Sequence, residues 1–590
     1  MRRTILPLLA AACVAGASAQ APERTLSVDF YAFTADGAAV PDLIASDITV
    51  RVDGRARPVR SLRFIKQADA PAADPLAPAD APPEPFATNR GGQTGRAFII
   101  VVDDESFRPG KERPIRSAVR AFLGALTPRD RVSLWTTPHG GIKVDLSPHH
   151  DRIAREMDLV SGQAPDRETA QDAACRTRNT LGAIEQMLTS LSGGEGPTTV
   201  LIFTASLFGP RTDSAMARGG PPGMCELRPE EFSRVGHAAA QARAHLYIIQ
   251  PEDLQRLPTN AADTIAGTGF ATAMNPLEGM EHLAAVTGAI RMSLTRLGDA
   301  TLVGLAKSTS AYYSAVVDSA ASDNEGPHGL DVKTSRAATQ IRSRPFVFVA
   351  RPGLVPRAST TNEMVRSGAY FTALPLRVSG FASLNDRSGN MRLVAAAEPA
   401  EPGVTLATAS VGYFDSKGRM VGQTNLTAEQ LAARPLLAAA VVPPGMYRVR
   451  VAATDSTGRS GAADTEVAAE MTPAGELKLS SLVLGLWRDN AFQPRLLFSA
   501  EPVVIAYLDV VGGGAGAKVA AFVEISKTEN GDALSRTPLA FEPTSDPARF
   551  TASAAVPIGG LPPGDYVVRA MVGVDGKPMG RVTRVLRKVS

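Results

Sequence analysis

Asp103, Asp104 and Glu105 place three carboxylates in three consecutive residues, with the hydroxyl of Ser106 beside them. Carboxylate and hydroxyl oxygens are hard donors, and a cluster of them attracts a hard divalent cation. The same acids on a solvated loop would do no chemistry. Position separates the two cases, and the preceding residues set the position. Phe98 to Val102 are five apolar residues in a row, within RAFIIVVDDES at 96–106. An unbroken run of this length suits a strand buried on both faces, in a parallel sheet covered by helices. The acids then stand at the carboxyl end of that strand, the edge where open α/β sheets bind ligands.

The surrounding chain must supply that sheet. From about 96 to 310, strand-like and helix-like stretches alternate, which predicts a doubly wound α/β domain. Helical spacing marks 114–126, a start near His150, 180–191, 229–244, 281–287 and 297–307. The runs RVSLWTT (131–137), TTVLIFT (198–204) and HLYIIQ (245–250) read as strands, and 142–146 pairs with the first of them. Upstream, 20–66 carries short strands with turn signals at Asp36-Gly37 and Asp53-Gly54. Residues 67–95 are rich in Pro, Ala and Asp and read as an extended linker. Three more strands fall in 311–350. Neither β segment is large enough for a core of its own. The two are expected to pair into one β-sandwich, with the α/β domain inserted between them.

The last 240 residues or so read as β throughout. Pro443-Pro444-Gly445-Met446-Tyr447-Arg448-Val449-Arg450 recurs as Pro562-Pro563-Gly564-Asp565-Tyr566-Val567-Val568-Arg569. A Tyr between a Gly turn and an alternating strand suits a tyrosine corner, its hydroxyl bonding back to the preceding loop. Two immunoglobulin-like β-sandwiches are predicted, at 355–470 and 476–590.

Met1 to Ala19 has the form of a secretory leader. Arg2-Arg3 precede an apolar middle from Ile5 to Val14, and Ala17-Ser18-Ala19 forms a cleavage site. The apolar middle is too short to span a membrane. Cys13 is a candidate for lipidation, although Ala10 stands where a larger aliphatic residue is usual. No later stretch is long and apolar enough for a transmembrane helix, so an exported protein, periplasmic or extracellular, is expected. A net charge of +3 without a basic patch argues against nucleic acid. Export leaves Cys175 and Cys225, as one disulfide or two buried thiols. There is no zinc-protease helix, nucleophile elbow or P-loop, and no enzyme is expected. His149-His150 read as surface histidines, and Gly512-Gly513-Gly514-Ala515-Gly516 as a turn.

The central domain resembles a von Willebrand factor A domain in its order of parts: buried strand ending in Asp, helix, hairpin, helix opening with Thr180, strand TTVLIFT, helix, strand HLYIIQP. Residues 25–350 resemble the VWFA-related family of exported bacterial proteins. The matching pieces are Asp36-Gly37, the Asp47–Gly54 run, Leu283-Ala284-Ala285-Val286-Thr287-Gly288, Tyr312-Tyr313, Val332-Lys333 and Arg342-Ser343-Arg344.

The resemblance implies a divalent cation, Mg2+ or Ca2+, at the carboxyl edge. Asp103, Asp104, Glu105, Ser106 and Thr180 would supply the ligands, and a partner's carboxylate would fill an open position. The sequence departs from the D-x-S-x-S motif. From Asp103 the serine positions hold Glu105 and Phe107; from Asp104 they hold Ser106 and Arg108. After TTVLIFT, Ala205 and Ser206 stand where an Asp is usual. The resemblance also puts Cys175 and Cys225 in loops of the same edge, which favours the disulfide. Closing a loop of about 50 residues would contribute about 4 kcal/mol in the chain-entropy model. The implied function is adhesion to a protein ligand through this edge. The alternative is a metal-independent structural or assembly protein of the cell envelope, docking through its β-sandwiches; an exported hydrolase ranks below both.

Overall fold

The computed structural model describes residues 25–67, 84–89, 95–165, 168, 170–191, 194, 196–210, 225–251, 277–294, 299–320, 322–349, 360–385, 389–488, 491–512, 519–546, 549–574 and 577–590. The leader at 1–19, Cys13 and most of the 67–95 stretch lie outside these residues.

The strand Ala97–Asp103 is wholly buried. It lies inside a six-stranded sheet, parallel to Arg131–Thr137 on one side and to Thr198–Phe203 on the other. Ala244–Pro251 and Ile290–Leu294 continue the parallel order, and Lys143–Ser147 closes the far edge antiparallel. Side-chain alternation along the buried strand explains its unbroken apolar run. Phe98, Ile100 and Val102 pack against Ile115, Val119 and Phe122 of the helix Arg113–Gly124, and against Leu302 and Leu305 of Asp299–Ser308. Ile99 and Val101 face the other way. They meet Leu181, Ile184 and Leu188 of Ala170–Ser190, and Phe232 and Val235 of Pro229–Gln241. Both faces are therefore covered.

Thr25–Phe33 is an inner strand of a four-stranded sheet, antiparallel to Ala311–Asp318 and to Gln340–Ser343. Gly326–Thr334 pairs with Ile48–Val52 in a second sheet. One core joins them, including Val28, Phe30, Val50, Tyr313 and Val332. The sandwich is thus built from two segments on either side of the α/β domain. It is tied to that domain by the Arg243–Asp29 ion pair and by Arg344, whose Nη1 donates to the Ala240 carbonyl at 2.7 Å.

Two further sandwiches follow. The second sandwich of the chain pairs a sheet containing Leu376–Leu384 and Met391–Pro399 with one containing Leu406–Phe414, Gly445–Asp455 and Ser460–Ala469. The third and last joins a seven-stranded sheet around Val503–Gly512 to a four-stranded sheet ending in Lys577–Lys588.

The stretch read as linker needs correction at 84–89. Ala87–Thr88 is an edge strand pairing with Arg377 and Val378. Asn89 is buried: its Nδ2 donates to the carbonyls of Phe371 (2.7 Å) and Leu374 (3.0 Å), and its Oδ1 accepts from the Leu376 N–H (2.7 Å). Backbone pairing, the Asn89 amide and the guanidinium groups of Arg377 and Arg587 over the Phe86 ring hold a segment that has no apolar periodicity to reveal it.

The repeated octapeptide makes the same contact twice. Tyr447 donates its hydroxyl to the Pro443 carbonyl at 2.8 Å, and Tyr566 to Pro562 at 2.8 Å. The preceding Gly445 and Gly564 have φ of 155° and 150°, open to glycine and not to residues with a Cβ. Tyr447→Phe and Tyr566→Phe are each expected to cost about 1 kcal/mol, read from urea unfolding. A loss confined to one of them would break the equivalence of the corners.

Candidate functional site

Asp103 ends the central strand with its side chain fully buried. Its Oδ1 accepts from Thr180 Oγ1 at 3.3 Å, and its Oδ2 from Thr204 Oγ1 at 2.8 Å. The guanidinium of Arg176 lies against the same carboxylate, with Nη1 3.5 Å from Oδ2. Arg176 also bonds Glu168 through Nε (2.9 Å), the Ser206 carbonyl through Nη1 (3.1 Å) and the Ser206 hydroxyl through Nη2 (3.0 Å). Its side chain is only 5% exposed.

The helix that brings Arg176 there differs from the expected one. It runs Ala170–Ser190 and so begins about ten residues before the predicted start at Thr180. Its first turns (AQDAACRTRNT) are too polar for an apolar stripe to mark them. Cys175 is consequently on the helix, not in a loop before it. Arg176 is four residues ahead of Thr180 and shares its face. Cys175 is bonded to Cys225, which ties the chain end returning from the Gly/Pro-rich segment to the residue next to Arg176.

The other expected cation ligands are dispersed. Ser106 Oγ donates to the Asp103 carbonyl at 2.6 Å and accepts from the Ala205 N–H at 2.9 Å, so it braces two loops. Asp104 is buried, with Oδ2 3.3 Å from Gln163 Nε2. Residues 161–164 lie over it as a strap: the Gln163 N–H donates to the Asp104 carbonyl at 2.7 Å, and the Ala164 N–H to that of Phe107 at 3.0 Å. Gly162 permits this approach, because a Cβ there would stand 2.4 Å from the Arg108 carbonyl oxygen. Glu105 faces outward to His139, Oε1 to Nε2 3.1 Å, and His139 is 74% exposed.

The five residues do not fit a divalent cation. Asp103 and Thr180 converge, but a fixed guanidinium covers the carboxylate and the Ser106 hydroxyl is turned inward. Among the described residues no group of three or more His, Cys, Asp or Glu is placed to hold a metal. Sequence reasoning missed Arg176, Thr204, Ser206 and Gln163. Two had a signal: Thr204 as the last residue of TTVLIFT, and Ser206 at the place where the resemblance expects an Asp.

His149 and His150 separate. His149 Nε2 lies 2.5 Å from Glu466 Oε1, and His150 Nε2 lies 2.8 Å from the Asp130 carbonyl. A cleft of about 270 Å³ lies elsewhere, between the first sandwich and the sheet, lined by Phe33, Tyr247, Met292 and Arg342 among others.

Burial pushes Asp103 up to about 6, against the pull of Arg176, Thr204 and Thr180. Burial, then the charges of Asp103 and Glu105, pushes Asp104 up to about 6. Unfolded aspartate titrates near 3.9. The folded chain holds these protons more tightly, so their stabilising effect is complete below about pH 4 and is lost as pH rises through about 6. Melting temperature is expected to rise from pH 7.5 to pH 5, and Asp104→Asn to flatten the rise. A wild-type profile falling over that interval contradicts this.

No family model matches the chain, and no curated protein does. Solved structures with partial likeness include fibronectin(III)-like modules of Clostridium thermocellum CbhA, at 9% identity, 33% of this chain, 85% of that chain and a TM-score of 0.11. The FN1-FN3 domains of chicken CNTN1 give 10%, 36%, 68% and 0.11. A GH2 beta-galacturonidase from Eisenbergiella tayi gives 16%, 41%, 40% and 0.18. At these scores the likeness carries no argument about substrate or partner. Among the described residues no helix is long and apolar enough to cross a membrane.

Proposed function

We propose that the chain is an exported binding protein of the von Willebrand A type, which captures a protein partner at the carboxyl edge of its parallel sheet. One observation carries this reading: the two ends of the sheet are treated differently. At the amino end, the half-buried Arg131 pairs with Asp464 of the second sandwich, and His149 reaches Glu466 beside it. At the carboxyl end, Glu105 in the turn after Asp103 meets the exposed His139 of the hairpin loop between Arg131–Thr137 and Lys143–Ser147. The sandwiches then serve as a scaffold that fixes the direction of the edge.

A second reading has its own support. Trp487 is 51% exposed and packs edge-on against Phe492, which stacks on Tyr507. Docking through this aromatic row would make the chain an envelope assembly component. Photo-crosslinking side chains placed singly at 105, 139 and 487 in the full chain separate the two. Specific crosslinks to one exported protein from 105 and 139, absent from 487, support edge capture. The reverse pattern replaces it with docking through the last sandwich.

A further inference from the structure

A cation at the end of the central strand has a physical purpose. Asp103 is buried, and an isolated carboxylate there would be costly to keep charged. A divalent ion is one solution, but it must sit within about 2.6 Å of the oxygens it binds. In this chain the space on the Oδ2 side holds the Arg176 guanidinium. Four other hydrogen bonds fix it, two to Glu168, at 2.9 and 3.4 Å, and two to Ser206. The remaining carboxylate contacts come from the hydroxyls of Thr180 and Thr204. Ser106, which the motif would aim at the ion, is committed to backbone on both sides. A planar guanidinium with fixed donors suits this position, because it neutralises a carboxylate and bonds neighbouring oxygens together.

We propose that Arg176 is the chain's own cation at this edge, standing in place of the divalent ion, so that partner capture there needs no metal. The second half of this inference rests on the edge-capture reading. It also sets the recognition chemistry. A partner finds no open metal position to fill with a carboxylate, and meets hydrogen-bonding groups at Glu105 and His139 instead.

The test begins with the full chain and no partner, so its outcome does not depend on whether the edge captures anything. Mn2+, Mg2+ and Ca2+ are titrated by calorimetry to about 5 mM, above the ~0.1–1 mM constants of extracellular calcium modules. No binding is expected at this edge. One-to-one binding abolished by Asp103→Asn overturns the proposal. Arg176→Met is expected to lower the melting temperature, and Asp103→Asn in the same chain to restore at least half of the loss. Arg176→Met melting like wild type, or no recovery in the double variant, also overturns it. Should Arg176→Met fail to fold, Arg176→Lys keeps the charge and is expected to fold without metal; a requirement for Mg2+ in that variant counts against the proposal. Capture that persists in EDTA fits the second half, and capture abolished by EDTA without metal binding to this chain refutes that half alone.

Discussion

Asp464→Ala is expected to destabilise the chain by about 3–5 kcal/mol, the cost of removing one partner from a buried ion pair. Asp464 is enclosed by three arginines. Its Oδ2 is 2.9 Å from Arg131 Nη1 and 2.7 Å from Arg450 Nη1, and its Oδ1 is 2.9 Å from Arg448 Nη1. Arg450 is 1% exposed and also bonds the carbonyls of Met364 (2.9 Å) and Ala369 (2.5 Å). Alanine leaves the buried Arg450 guanidinium, with the half-buried Arg131 and Arg448 beside it, without its carboxylate. Because Arg131 belongs to the α/β domain, the loss should appear as earlier melting and as separation of that domain from the second sandwich. Hydrogen exchange should rise at 131–137 and at 445–469 together. The charges of Arg450, Arg131 and Arg448 overcome burial and hold the Asp464 carboxyl well below the usual range. Its contribution is therefore present above about pH 4 and is lost as pH falls below that. Asp464→Ala should remove this acid-sensitive part of the wild-type profile. Unchanged stability at pH 7 would show that the cluster is neutral in effect.

Phe30→Ala is expected to cost about 3–5 kcal/mol, as for a large side chain deleted from a packed core. Phe30 is fully buried and stacks on Tyr313 with ring centroids 5.4 Å apart. Tyr313 in turn donates its hydroxyl to the Val40 carbonyl at 2.8 Å and accepts from the Leu43 N–H at 3.0 Å. One side chain thus supports strands from two segments separated by the whole α/β domain. Exchange protection should fall in 311–349 as well as in 25–66, although the substitution lies in the first segment only. Protection lost solely in 25–66 would mean that the later segment holds its own fold.

What could be read from residues was what neighbours along the chain decide. The apolar run before Asp103 marked a strand covered on both faces, because every side chain in it needs burial whichever way it points. The Gly-x-Tyr repeat marked two corners, because a hydroxyl four residues from its acceptor needs no distant partner. The Cys175–Cys225 bond followed from the two cysteines outside the expected leader, together with an expected fold. Ile290–Leu294 was not legible as the last strand of the sheet: IRMSL is short, at an edge and half-buried. Ala87 to Asn89 was hidden for a similar reason, since its partners are backbone groups almost three hundred residues away.

The sequence by itself determined that three acids follow a doubly buried strand, and that a β-rich scaffold surrounds it. It could not say what neutralises the buried carboxylate. Arg176 lies 73 residues from Asp103, on a helical turn too polar to announce itself, and nothing in the local pattern links the two. Packing the Ala170–Ser190 helix against the sheet brings the guanidinium to the carboxylate, while the strap at 161–164 covers Asp104 and leaves Glu105 outside. Charge pairing is a property of distance in space, and only the tertiary structure sets that distance.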